Sequence, residues 1–493
     1  MIMHRSIVAL CLLMLLASAA RPQAPGERVL TLEEAVALAL DRGRSAETAE
    51  YGLEAARWRD QAFGARLLPR LAFSGNAADL DRGINAITLP TGETQFVRQS
   101  QNTSWVELGV IQPLPWTGGE ISVGSRLTRI DQFGDGGTTQ SWQTTPLVVG
   151  LRQGLFRPRT LAWDQREQDL AVTVAERQFL EAREDVAIAT SAAYFDLYSA
   201  QVELENAIAN AAVNDTLYTL NTGRYEVGKI GENDLLQSEL ALLRSRASLD
   251  GARLTRDRTA ATLRRLLRLP ANAPIAATAP ATVPQFEIDT AVAVSQALRN
   301  VSAIPDGALQ VMRSQRQVSE ARSASGFRAD IVASVGFNQT SPELSAAYQE
   351  PLAKQQFRMQ MEMPLVQWGG GRAAVEAARA DEQRAEGTAE SRREAVEEEA
   401  RFAALELTQA QRLLALAAKA DTVAAKRFDV AKNRYVIGKI DINDLYVAQN
   451  EKDAAVRSYV QALRGFWASH YRLRRLTLYD FTQGRPLRAQ DRP

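Results

Sequence analysis

Hydrophobic positions along this chain follow two periods, 3.6 and 2, which take turns in long blocks. Residues 31–40 have helical spacing, with Thr31 placed as N-cap and Glu34 at the capping-box position. A second helix is predicted over 45–67, stopping before Pro69. Alternation then signals strands within 68–156: Leu71, Phe73 and Gly75; Val106, Leu108 and Val110; Ile121, Val123 and Leu127; Leu147, Val149 and Leu151. Residues 79–101 read as a polar loop and 113–119 as a turn. From 161 to 225 there is no proline or strong breaker, which predicts a helix of roughly 100 Å. A return helix over 233–269 completes a long hairpin, 161–269. Leu235, Leu242 and Leu249 in it stand seven apart, as coiled coils require.

The second half repeats this order. Residues 270–287 are a Pro/Ala linker. Helices follow over 289–300 and 306–327, then strands within 329–366. There Phe357, Met359, Met361 and Met363 alternate with Arg358, Gln360 and Glu362 in the sharpest period-two pattern of the chain. A long hairpin over 372–475 closes the repeat, and a polar tail, 480–493, is expected to be loose.

A twelve-residue turn ties the halves together. Arg224-Tyr-Glu-Val-Gly-Lys-Ile-Gly-Glu-Asn-Asp-Leu235 and Arg434-Tyr-Val-Ile-Gly-Lys-Ile-Asp-Ile-Asn-Asp-Leu445 agree at eight positions, at an offset of 210. The chain therefore reads as a tandem duplication, first repeat 21–269 and second repeat 288–479. Gly228 and Gly438 sit where a helix end wants a left-handed residue. Gly231 or Asp441 can cap the next helix, with Asp234 and Asp444 three residues on. The corner explains the glycines and acids but leaves Arg224, Tyr225, Arg434 and Lys439 unaccounted for. The first half also carries an additional hairpin, 103–131, that the second lacks.

Composition narrows the class. Lysine plus arginine balance aspartate plus glutamate, which argues against a general nucleic-acid binder. Residues 1–20 read as a secretory signal: Arg5, an apolar run over 7–16, then Ala17-Ser-Ala19. Its removal takes away Cys11 and His4, leaving His470 as the last histidine. Disulfides, thiolate metal sites and cysteine nucleophiles are thereby excluded. No Gly-x-Ser-x-Gly, phosphate loop, dinucleotide fingerprint or histidine cluster occurs, so neither enzyme nor cofactor is expected. No further apolar run reaches the 20 residues of a membrane helix, so any membrane contact must be a β-barrel. Trp105, Trp116 and Trp142 are candidates for an interfacial belt.

The alternating strands fit either a soluble sandwich or a membrane barrel with polar residues such as Arg152, Arg358, Gln360 and Glu362 lining the lumen. Four to six strands cannot close a barrel alone, because about eight is the minimum. Several copies must then share one. The expected fold class is α+β, mostly long helical hairpins in an α-barrel or coiled coil, with a shared transmembrane antiparallel β-barrel. A structural coiled-coil spacer or trimeric adhesin is the alternative.

Several stretches resemble the TolC-like outer-membrane efflux proteins, the outer membrane factor family. They are Leu32-Glu-Glu-Ala35, Leu68-Pro69, Gln153-Gly-Leu-Phe156, Met363-Pro-Leu-Val-Gln-Trp-Gly-Gly370 and the two Arg-Tyr-x-x-Gly turns. The resemblance implies a homotrimer spanning outer membrane and periplasm. It implies an exit duct serving an inner-membrane pump or type I exporter through a periplasmic adaptor. It further implies a gate at the helical tips. There Tyr435 is the closing tyrosine, Asp234 its acidic partner and Asp444 part of a lumen ring. Arg224, Tyr225, Gly228, Arg434 and Gly438 form the tip turn and adaptor contact. Ile440 and Val447 stand where the family pattern has an arginine and a second aspartate, with Lys439 a candidate substitute.

Overall fold

The computed structural model describes residues 27–488, apart from Leu89, Asp135, Gly136 and Ala281. The expected secretory signal lies outside the described residues. In chain order the elements begin with β1 (Arg28–Leu30), α1 (Leu32–Arg42) and α2 (Arg44–Arg66). Five strands follow: β2 (Arg70–Asn76), β3 (Leu80–Thr88), β4 (Thr94–Leu114), β5 (Gly119–Gly134) and β6 (Gly137–Leu155). Then come α3 (Thr160–Glu226), α4 (Glu232–Leu266), β7 (Ile275–Ala277), α5 (Thr290–Asn300) and α6 (Ala303–Ser325). The chain ends with β8 (Arg328–Ser341), β9 (Leu352–Glu362), α7 (Gly370–Val436), α8 (Ile442–Thr477), β10 (Tyr479–Asp480) and β11 (Arg485–Pro486). Both α3 and α7 are 67 residues long.

These elements fall into two compact units that cut across the repeats. One comprises 27–52, 177–301 and 395–488, and the other 53–176 and 302–394. The boundaries lie inside α2, α3 and α7 as well as between α5 and α6.

The first unit holds the apolar core. Leu30, Leu32 and Val36 pack with Tyr194, Phe195, Leu263, Ile275, Leu407, Leu463 and Phe466. Thr31 makes the predicted capping box with Glu34. The segment read as a linker contributes β7, which pairs in parallel with β1 through Arg28↔Ile275 and Leu30↔Ala277. Its partner is some 245 positions away and the pair is three residues long, so no local period announces it. The buried Tyr194 hydroxyl lies 2.9 Å from the Leu30 carbonyl and 2.6 Å from that of Thr278, fastening the pair to α3. The tail is not loose as far as Arg488. β10 and β11 pair antiparallel, and the Asp480 carboxylate accepts from the backbone of Thr482 and Gln483.

The second unit is built on one antiparallel sheet in the order β2-β4-β5-β6-β8-β9, with β3 also pairing β4. The stretch 79–101, expected to be a loop, forms β3 and the start of β4, registered from Leu80↔Asn102 to Thr88↔Thr94. Gln99, Gln101, Ser100 and Asn102 are polar on both faces of the strand, so no alternation marks it. A bulge in β6 between Thr144 and Val148 shifts its register. There the Gly336 position sits where a Cβ would meet the Leu147 carbonyl oxygen at 2.3 Å.

Candidate gate and channel wall

Both turns close their helices in the same way. Lys229 N–H donates to the Arg224 carbonyl and Gly228 N–H to that of Tyr225, each at 2.8 Å. Lys439 and Gly438 repeat this with Arg434 and Tyr435 at 2.9 Å. This is the Schellman arrangement, which needs a left-handed residue; Gly228 and Gly438 supply φ of +69° and +74°. Asp441 then caps α8 with its side chain, accepting from Asp444 N–H at 2.9 Å. Gly231 occupies the same place before α4 without a side-chain bond.

The two tips are knitted together by side chains. The buried Tyr435 hydroxyl donates to Asn221 Oδ1 at 2.8 Å. Arg224 donates to the Val436 carbonyl at 3.1 Å and stacks its guanidinium over the Tyr435 ring at 5.2 Å. A cation there also meets the negative end of the α7 dipole. Gln237 bonds Asn443 at 2.7 Å, and beneath them Leu217, Phe428, Tyr435, Ile442 and Leu445 form a small apolar core. Asp444, Lys439 and Arg434 are exposed, and Asp234 is half-buried. Beside this cluster Tyr446 is pushed up to about 12, by burial first and then by Tyr435.

Along the sheet the two faces are chemically distinct. Residues paired across an antiparallel ladder share a face. Leu71, Val110, Val123, Val149 and Val335 form one continuous row, and Ile121, Leu151, Ala333 and Phe357 another. Met359 and Met361 extend the same face on β9. The large members of these rows are exposed, Leu71 and Phe357 to about 66% and 71%, except for Val110, which is half-buried. Neither buried core cluster includes them. The opposite face carries Glu107, Glu120, Arg126, Arg152, Arg358, Gln360 and Glu362 between Gly109, Gly124, Gly150 and Gly154. Arg152 pairs with Glu120 at 3.5 Å, Arg126 with Glu107, and Arg328 with Glu362.

Residues 293–477 match the family model for outer membrane efflux proteins. In fold the chain is similar to the CmeC outer membrane channel of Campylobacter jejuni. The TM-score is 0.64 at 17% identity, covering 93% of this chain and 87% of that one. It is also similar to the outer membrane protein VceC of Vibrio cholerae, with TM-score 0.63, 14% identity and coverage of 90% and 95%. The open-state MtrE outer membrane channel of Neisseria gonorrhoeae gives 0.61 at 16% identity, covering 90% and 88%. No curated protein sequence matches. This is the TolC-like outer-membrane efflux fold.

Within the efflux fold, the tip departs from what the family pattern implied. Tyr435 bonds Asn221, not Asp234, whose side chain makes no hydrogen bond or ion pair among the described residues. The Lys439 ammonium likewise makes no ion pair within the described chain. Arg224, grouped with the adaptor contact, clamps the end of α7. Asn221 was not singled out in the sequence, because its partner lies 214 positions away. The expected belt is split. Trp142 shares its face with Arg129 and the row above Leu127, whereas Trp105 lies on the polar face beneath Arg126, 4.5 Å from its ring.

A buried ionic cluster stiffens the α8 end of the first unit. Arg474 pairs with Glu184 at 3.0 Å, both buried. Burial raises the Glu184 carboxyl against the pull of Arg474. His470, stacked on Phe466, is pushed down to about 4 by burial first and then by Arg474.

Proposed function

We propose that three copies of this chain close one channel across the outer membrane and the periplasm. It acts as the exit duct of a tripartite efflux pump or type I secretion system, met by a periplasmic adaptor and an inner-membrane pump or exporter. One observation carries the reading: a single sheet whose apolar face is bare on β2, β4, β5, β6, β8 and β9 while its polar face carries paired charges. A soluble sandwich would bury the apolar face. Lipid covers it in a barrel, and the polar face, with Arg152, Arg358, Gln360 and Glu362, then lines the water-filled lumen.

The helices support assembly from several copies. Phe402, Leu416, Val423 and Val430 of α7 recur at multiples of seven and are all exposed, as are Leu236 and Leu243 of α4. Such rows are seams awaiting a partner helix. The gate is the Tyr435–Asn221–Arg224 cluster at the tips, and three Asp444 carboxylates near one axis form a cation-attracting ring. Cargo passes through without a cofactor.

Outer-membrane fractions run unheated on SDS gels, followed by bilayer recording of the purified protein, test the reading. A trimer band that conducts ions is expected; a non-conducting monomer soluble without detergent overturns it.

A further inference from the structure

The additional hairpin of the first repeat is part of the sheet. β4 and β5 pair without a break from Leu114↔Gly119 to Ser100↔Phe133. They stand between β2 on one side and β6 on the other, so they are interior strands and not an appendage. Their alternation is in phase with the rest. Val110 and Val123 fall in the row that runs from Leu71 to Val335, and Gly109 and Gly124 fall on the polar side.

The two edges are open and compatible. β2 and β9 each pair on one side only. With β2 and β3 sharing one edge against β4, the sheet has six strand positions, antiparallel throughout, so β2 and β9 run in opposite directions and an edge-to-edge contact between copies is itself antiparallel. Five or seven strands would force a parallel seam. The apolar face reaches both edges, with Phe73 73% exposed on β2 and Phe357 71% on β9. In lipid such edges must be closed, because unpaired backbone groups there have no water to bond.

We infer that each copy contributes six strands to the barrel wall, β9 of one copy pairing with β2 of the next, so that the trimer closes an eighteen-stranded barrel with the 103–131 hairpin facing lipid. This rests on the trimeric channel reading above. Barrel diameter grows roughly linearly with strand number, so the bore is about half again as wide as one of twelve strands. The occupant of both edges is a second copy of this chain.

Spin labels on single cysteines test the wall directly. Cys11, the sole cysteine, is replaced in the background C11A. Labels at Val123→Cys, Ser122→Cys and Met359→Cys are read in proteoliposomes as accessibility to oxygen against a water-soluble nickel chelate. Val123 and Met359 are expected to favour oxygen several-fold, and Ser122 the chelate. Val110→Cys reports on the same face should Val123→Cys fail to insert. If Met359 contacts lipid while Val123 and Val110 contact water, the six-strand wall is wrong and the channel survives. If Met359 also contacts water, the channel reading itself falls. Electron cryomicroscopy down the barrel axis gives an independent count, eighteen strands expected and twelve refuting.

Discussion

At the scale of single residues, the tip depends on a few bonds, and the one between Tyr435 and Asn221 joins two uncharged side chains. Tyr435→Phe leaves the buried Asn221 oxygen without its donor, a loss of about 1–3 kcal/mol. Single-channel recording is expected to show higher conductance or more frequent opening, while an unchanged trace would remove Tyr435 from the gate. His470 carries a different signature. Its folded value near 4 lies below the 6.5 of an exposed histidine, so the unfolded chain binds the extra proton first. Stability therefore falls as pH drops from about 6.5 toward 4, by up to roughly 3 kcal/mol. Glu184, raised by burial above its ordinary range, acts in the opposite sense within the same window. Denaturant midpoints measured across that window are expected to flatten in His470→Phe, which keeps the stack on Phe466.

Elements were legible in the sequence where one period ran long. The 67-residue helices follow from proline-free, alanine-rich stretches, and their ends from Gly228 and Gly438. Gly438→Ala places a Cβ at φ +74°, a cost of about 1–2 kcal/mol. Hydrogen exchange at 435–445 is expected to rise while the α8 end near Trp467 stays protected. What escaped reading depended on distant partners. β7 is three residues waiting for β1, and the stretch of β4 that pairs with β3 is polar on both faces, Gln99 to Asn102. The exposed heptad row of α7 makes a sharper prediction. Leu416→Asp puts a charge into the proposed seam and should dissociate the trimer on unheated gels while circular dichroism stays unchanged.

For the whole molecule, duplication could be read from two twelve-residue turns, but the compact units could not, since each draws segments from both repeats. The proposed lumen ring belongs to this scale because one Asp444 is an exposed carboxylate, and three around an axis would be a field. Asp444→Asn is expected to shift the reversal potential in a salt gradient away from cation preference without altering trimer yield. Arg224 has a further consequence. Its counterpart one repeat later, Arg434, is exposed, and no acceptor for its guanidinium occurs among the described residues. In the proposed ring of three, each second repeat would adjoin the first repeat of the following subunit. The clamp that Arg224 makes inside one polypeptide would then have its counterpart between copies, Arg434 facing the exposed Tyr225 of the next. Each copy holds one such latch within itself, so the proposed trimer would hold three, with room for three more where its copies meet.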